Sequence, residues 1–205
     1  MTTTIVFANG KGGVGKSTLS ALLVEYCNHV GLSVGLTDAD PNATTQTWAN
    51  HCAQEDRPVV SSDPEVLVVD TAGTSGGALL WIQKASLIVC PFRANFADLD
   101  LTATWFSTLH SNFQQRFLFV PNMLGRAKEH ELGVGDIEAL IQETGHGELL
   151  PGIRGREAIY PTLLKGSGEN FFAQTSRRVA AAQREAELLC HAILTRAGFE
   201  FEEAL

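Results

Sequence analysis

The stretch Gly10-Lys11-Gly12-Gly13-Val14-Gly15-Lys16-Ser17-Thr18 constrains the fold more than any other part of the chain. Gly10, Gly15, Lys16 and Ser17 stand at the spacing of a phosphate-binding loop. Backbone amides wrap phosphates, a lysine serves the β and γ phosphates, and a hydroxyl serves Mg2+. Such a loop needs a strand before it and a helix after it, because the helix's free amides and dipole complete the anion site. Both flanks meet that demand. Thr4-Ile5-Val6-Phe7-Ala8-Asn9 is apolar and rich in β-branched residues, as in a buried parallel strand. Leu19, Leu22, Tyr26 and Val30 recur at spacings of three and four, which predicts one apolar face of a helix that opens at Lys16 and Ser17.

The rest of the chain alternates in the same way. Further strands are predicted over 33–37, 65–69, 87–91 and 116–121, with a weaker one over 149–153. Helices are predicted over 17–30, 44–51, 76–84, 98–109, 136–143, 157–164 and 177–196. Alternation of this kind implies an α/β fold, a mostly parallel sheet with helices on both faces. A chain of 205 residues that is 44% apolar forms one domain with a sizeable core. No repeat, low-complexity segment or linker interrupts it. The formal charge of −8 argues against a uniformly basic nucleic-acid-binding surface and leaves room for a local basic patch. Cys27, Cys52, Cys90 and Cys190 are scattered without a C-x-x-C pair, as expected of reduced, mostly buried thiols in a cytosolic protein. Residues 2–4 are polar and no apolar run reaches membrane-spanning length, so neither a signal peptide nor a membrane span is expected.

Two aspartate motifs extend the site. The second predicted strand runs into Thr37-Asp38-Ala39-Asp40-Pro41-Asn42. Ligands of open α/β sheets sit beyond the carboxyl ends of the strands. Asp38 and Asp40 are therefore expected near the phosphates, one serving a Mg2+-bound water and the other the attacking water. A turn before a helix, capped by Asp40 or Asn42, is the plainer alternative. Leu67-Val68-Val69-Asp70-Thr71-Ala72-Gly73 is an apolar strand that ends in an aspartate, the usual second Mg2+ element of phosphate-loop enzymes. Gly73 can bring its amide against a γ-phosphate, which makes residues 73–77 a candidate switch loop.

Taken together, residues 11–18, Asp38-Ala39-Asp40-Pro41 and Val68-Val69-Asp70-Thr71-Ala72-Gly73 resemble the ParA/MinD family of deviant Walker-A ATPases. The likeness covers nearly the whole chain and is most specific in the first two motifs. The length is similar to that of the small plasmid-type ParA proteins, which lack the N-terminal winged-helix domain of longer relatives. The resemblance implies one phosphate-loop ATPase domain over residues 1–205 with no N-terminal DNA-binding domain. It also implies binding of ATP and Mg2+, an ATP-dependent homodimer, slow hydrolysis, attachment to non-specific DNA in the nucleoid, and a centromere-binding ParB-like adaptor. Relatives of this kind segregate plasmids or chromosomes, and others position flagella, chemoreceptor arrays or microcompartments.

Residue roles follow from the resemblance. Lys11 corresponds to the signature lysine, which reaches across the dimer to the partner's nucleotide. Gly12, Gly13, Val14 and Gly15 belong to the phosphate cradle, Lys16 contacts the β and γ phosphates, and Ser17 and Thr18 serve Mg2+ and phosphate. Asp40 matches the aspartate required for hydrolysis, Asp38 lies close to the metal, and Asp70 is the Walker-B residue. Ile153-Arg154-Gly155-Arg156 is similar to the segment near the adenine, with Arg156 and Asn122 as candidate base contacts. The chain departs from the family pattern at Asn42, where glutamine is common, and at Ala72-Gly73, where proline is common.

Lys11 also carries a physical argument. Two adjacent nucleotides crowd negative charge into one interface, and a lysine supplied from the other subunit offsets it. In the predicted last helix, Val179, Ala182, Ala186, Leu189 and Ile193 form a seam for the sheet. Arg177 and Arg184 lie off that seam and Arg178 flanks them; the resemblance implies a DNA-binding patch here, which Lys165 and Arg154 are candidates to join, and an ordinary solvated face beside Glu185 and Glu187 is the plainer alternative. The acidic ending Phe199-Glu200-Phe201-Glu202-Glu203-Ala204-Leu205 would be repelled by anionic lipid, so no membrane partner is expected. Cys90 has no paired cysteine suited to an iron–sulfur cluster and is expected to be an apolar filler.

Overall fold

The computed structural model describes residues 2–73, 77–166 and 168–201. Strands β1 (Thr3–Phe7), β2 (Val34–Ala39), β3 (Val66–Thr71), β4 (Leu87–Arg93), β5 (Phe117–Asn122) and β6 (Glu148–Leu149) form one sheet in the order β2-β3-β1-β4-β5-β6. All pairs are parallel, and Val6 of β1 faces Val69 on one side and Ile88 on the other. Winding changes direction at β1: the chain leaves it toward β2 on one side and later extends the sheet on the other. That is where an open α/β sheet leaves a ligand crevice.

The strands are apolar on both faces, as parallel strands must be, and the two faces receive different helices. Ile5 and Phe7 of β1, Val66 and Val68 of β3 and Leu118 and Val120 of β5 pack under α1 (Lys16–His29), α2 (Thr44–Gln54), α7 (Tyr160–Leu163) and α8 (Ala180–Arg196). Val6, Ala8, Val69, Phe117 and Phe119 face α3 (Gly77–Lys84), α4 (Phe96–Ser107) and α6 (Lys128–Thr144). There Phe106 of α4 meets Phe117 and Phe119 edge-on, with ring centroids 5.1 Å apart in each pair. The short α5 (Ser111–Gln114) leads into β5. All four cysteines are buried, and Cys90 fills the second face as an apolar side chain. No helix among the described residues is long and apolar enough to cross a membrane.

Several elements differ from expectation. The periodicity of Leu19, Leu22, Tyr26 and Val30 predicts one buried face, yet Leu19 through Cys27 are all buried. The reason is position: α1 lies in the middle of its layer, flanked by α2, α7 and α8 and seated on the sheet. The weak strand over 149–153 shortens to Glu148–Leu149 because Pro151 has no N–H to give. Leu150 and Ile153 still donate to the carbonyls of Phe119 and Pro121 at 2.9 and 2.8 Å, which keeps the segment beside β5. The last helix begins at Ala180, so Arg177 and Arg178 stand in the turn before it. Residues 74–76 of the candidate switch loop and residues 202–205 of the acidic ending lie outside the described residues.

A buried carboxyl fastens the loop-bearing helix to its surroundings. Glu25 Oε1, on the inner part of α1, accepts from Arg57 Nη1 at 2.7 Å, and Oε2 accepts from the Phe171 N–H at 3.3 Å. Asn170 donates to the Glu25 carbonyl at 2.8 Å. Burial pushes the Glu25 carboxyl above its ordinary range, and Arg57 opposes that rise. Arg57→Ala leaves the carboxyl without its cation and should cost about 3 kcal/mol in urea unfolding. Loss of Arg57 raises the folded-state pKa further above the unfolded value. The folded chain then binds the extra proton, so the defect should deepen as pH rises from 4.5 toward neutrality.

Candidate functional site

The loop after β1 is shaped by backbone and held by side chains from other strands. Gly15 has φ of 99° and leads directly into α1, whose first turn carries no side-chain cap. A Cβ at Gly15 would also run into the Asn122 amide. That amide is structural: Asn122 Nδ2 donates to the Val14 carbonyl at 2.7 Å, and Oδ1 accepts from the Met123 N–H at 2.9 Å. Asn9, at the end of β1, does the same on the other side, accepting from the Lys11 N–H at 2.8 Å. Across the crevice, a Cβ at Gly73 would lie 2.8 Å from the Gly12 nitrogen, so the loop after β3 touches the phosphate loop backbone to backbone.

Lys16 is 6% exposed. Its Nζ donates to the Lys11 carbonyl at 3.0 Å. Burial lowers its pKa, and Asp70 is the main group that opposes the fall. Asp70 is fully buried, and neither carboxylate oxygen makes a hydrogen bond of normal geometry. Burial pushes its pKa up to about 7; the Ser17 hydroxyl and Lys16 oppose the rise, and Asp38 and Asp40 add to it. A buried carboxylate with two orphaned oxygens beside a hydroxyl fits a cation. The fit is to Mg2+, which in phosphate sites takes one or two protein oxygens and fills its remaining positions with water and phosphate. Among the described residues no three His, Cys, Asp or Glu side chains converge.

Asp38 and Asp40 play different parts. Asp38 Oδ2 accepts from Thr45 N–H at 2.8 Å, Thr45 Oγ1 at 2.7 Å and Gln46 N–H at 3.1 Å, and so caps α2. Its Oδ1 accepts from the Asp40 N–H at 2.9 Å. The cap that the sequence places at Asp40 or Asn42 is therefore made by Asp38, and the single bond on Oδ1 leaves only that oxygen available to a metal-bound water. Asp40 Oδ1 accepts from the Asn42 N–H at 2.9 Å, and the residue lines the cavity over the loop.

That cavity measures about 600 Å3 and is walled by Gly12, Gly13, Gly15, Lys16, Ser17 and Thr18 on one side and by Asp40, Pro41, Asn42, Ala72 and Gly73 on the other. A second cavity of about 480 Å3 adjoins it through Thr18 and Met123 and is bounded by Ile153, Arg154, Gly155, Arg156 and Tyr160. A glycine-rich cradle continuous with a second chamber gives room for the two ends of a nucleotide. Arg156 lines the second chamber, but its guanidinium is committed to Glu185, with Nη2 to Oε1 at 2.6 Å and Nε to Oε2 at 3.2 Å. That pairing raises its pKa. Val14 lines neither cavity, and its carbonyl is taken by Asn122. Lys11 also lines neither: its ammonium lies 3.5 Å from Asp98 Oδ1. Arg177, Arg178 and Arg184 are exposed and make no ion pair among the described residues, whereas Arg154 lies 3.7 Å from Glu185. Sequence reasoning passed over Met123, Tyr160 and Asp98 as site residues. Only Asp98 had a local signal, as the acidic third residue after the helix cap Asn95.

A family model described as the CobQ/CobB/MinD/ParA nucleotide binding domain matches residues 5–167. The protein ParA of Rhizobium radiobacter is 28% identical over 116 residues, a match that spans 48% of this chain and 52% of that protein. The chain thus aligns with only about half the length of this curated relative. Among solved structures, a putative plasmid partition protein of Borrelia burgdorferi bound to AMPPNP superposes with a TM-score of 0.73 at 13% identity, covering 96% of this chain and 100% of that one. The septum site-determining protein MinD of Pyrococcus horikoshii, complexed with Mg-ADP, gives 0.70 at 16% identity, with 97% and 98% covered. At these identities the likeness is one of fold.

Asp70 supplies the test of the cation fit. Asp70→Asn removes a buried charge that Lys16 and Ser17 only partly offset in the metal-free chain. It should raise stability in EDTA by about 1–2 kcal/mol, roughly 2–8 °C in thermal midpoint at neutral pH. The same variant should lose the Mg2+ dependence of nucleotide-analogue binding in titration calorimetry. A lower midpoint would mean that the carboxylate is compensated from within the protein.

Proposed function

The chain belongs to the CobQ/CobB/MinD/ParA nucleotide-binding family, and we propose that within it this protein is a ParA-type partition ATPase. It closes into a homodimer on ATP, holds non-specific DNA, and drives plasmid or chromosome partition with slow, Mg2+-dependent hydrolysis. A ParB-like centromere-binding adaptor supplies the cargo. The observation that carries this reading is Lys11. It sits inside the phosphate loop, yet its side chain is 38% exposed and lines neither cavity. A cation placed there is of more use to a second subunit's nucleotide than to its own.

Each residue has a chemical task in this reading. The free amides of the first turn of α1 and the backbone of Gly12, Gly13 and Gly15 hold the phosphates, and Lys16 exchanges the Lys11 carbonyl for phosphate oxygens. Ser17 and Asp70 are the residues that would hold Mg2+, with Asp38 close by. The bound ion supplies charge neutralisation on the phosphate oxygens. Asp40, fixed by the Asn42 and Asp38 contacts, orients the attacking water and accepts its proton. Met123, Tyr160 and the 153–156 segment enclose the base. Arg177, Arg178 and Arg184 present positive charge around the start of α8, and dimerisation doubles that surface on a chain of net charge −8.

Nucleotide, hydrolysis and DNA can be separated experimentally. Lys16→Ala should abolish detectable ATP binding. Asp40→Ala should bind ATP and dimerise while turnover falls on the order of 100-fold or more; normal turnover would remove Asp40 from the mechanism. In the Asp40→Ala background, binding to random-sequence duplex DNA should require ATP. Arg177→Glu with Arg178→Glu should reduce its log–log salt slope by roughly two per subunit. Unchanged DNA affinity in that double variant would move the surface elsewhere, and no binding by a dimeric ATP form would remove DNA from the function.

A further inference from the structure

Arg93 is the last residue of β4 and is not used by the site described above. Leu87 and Val89 pack on the α1 side of the sheet, so alternation along β4 turns Arg93 to that side, where the phosphate loop rises into α1. Its register partner on β5 is Asn122, which follows Leu118 and Val120 on the same side and holds the Val14 carbonyl. Arg93 meets the loop one residue earlier: a Cβ at Gly13 would lie 3.9 Å from its Nη2. Phe92 and Ala94, both fully buried, fix the backbone on either side. Arg93 is half-buried, and its Nε is enclosed without a hydrogen-bond partner. No carboxylate comes within ion-pair distance of its guanidinium among the described residues.

Two ordinary roles leave this arrangement unexplained. A strut under the loop would hydrogen-bond to it, as Asn122 does, and a surface arginine would keep its Nε in water or against a carboxylate. The Arg93 Nε does neither, in a chain of net charge −8. The side chain lies beside Gly13, which walls the first cavity, yet Arg93 lines neither cavity itself. We propose that Arg93 is a nucleotide-binding residue that acts in trans: when two ATP-loaded subunits close on each other, its guanidinium takes phosphate oxygens of the other subunit's nucleotide. This rests on the ATP-dimer reading above. Lys11, just beyond β1, brings one positive charge per subunit to that interface, and Arg93, from the adjacent strand β4, brings a second. A guanidinium presents a planar fork of N–H donors that fits phosphate oxygens in pairs, and exclusion of water between subunits strengthens the contact. The unpartnered Nε is one of the donors such an anion satisfies.

Arg93→Met removes the charge and keeps much of the length, whereas Arg93→Lys keeps the charge and loses the fork. Both are made in the full chain in the Asp40→Ala background. The first readout is binding of a fluorescent ATP analogue at protein concentrations below the dimer dissociation constant, where each subunit has only its own cradle. Arg93→Met should bind there as tightly as its parent. The second readout is the ATP-dependent dimer dissociation constant by sedimentation equilibrium. It should weaken on the order of 30-fold in Arg93→Met, the loss expected when one partner of a desolvated charge pair is truncated, and Arg93→Lys should recover part of it. A merely structural role would instead lower the nucleotide-free thermal midpoint and the single-subunit affinity together. Weaker analogue binding by dilute Arg93→Met overturns the proposal by placing the guanidinium at its own subunit's nucleotide. An equal dimer constant in Arg93→Met and its parent overturns it by removing Arg93 from the interface. A parent that stays monomeric with ATP removes the dimer reading, and the role in trans falls with it.

Discussion

Asp38 and Asp70 are register partners at the carboxyl ends of adjacent strands β2 and β3, and Lys16 enters the same crevice from the start of α1. Two carboxylates side by side in a buried place repel each other, and water is too scarce there to screen them. The structure manages this with three devices. Asp38 is turned toward α2, where backbone donors and the Thr45 hydroxyl hold it. Asp40 is turned toward its own turn. Asp70 makes no hydrogen bond of normal geometry, and burial raises its pKa.

The loop stays in shape because residues remote in sequence grip it. Asn9 and Asn122, at the ends of β1 and β5, hold it by the Lys11 N–H and the Val14 carbonyl, and Gly73 closes against Gly12 from β3. Amides held in this way need little reorganisation when an anion arrives, which is the condition under which backbone donors bind charge well. The same grip explains why Asn122 lines the second chamber while its amide faces the loop.

Separation of charge by region is the other organising feature. Negative charge dominates the chain, yet several cationic side chains gather in two regions. Lys11 and Lys16 lie at the loop, one nearly buried and one half-exposed. Arg177, Arg178 and Arg184 lie around the start of α8, while Arg154 and Arg156 next to them are held by Glu185. Glu185 thereby holds Arg156 in the wall of the second chamber and lies 3.7 Å from the exposed Arg154, while Arg177, Arg178 and Arg184 make no ion pair among the described residues.

The sequence by itself determined the strand–loop–helix unit, the alternation of strands and helices, and the location of the phosphate site. These depend on spacings within a few residues, and any sheet that buries both faces of its strands must honour them. It also marked the α8 seam, since Ala182, Ala186, Leu189 and Ile193 are buried as their period requires. Only the tertiary structure decided that α1 is buried nearly all round, that Asp38 caps α2, that Asn122 clamps the loop, and that Lys11 lies on Asp98. Each of those pairs residues whose proximity follows from strand order and from which helix covers which face. A local pattern shows that Asp98 begins a helix, but nothing in it says that the first turn of that helix stands against Lys11, because β4 comes to lie beside β1 only when the sheet is assembled.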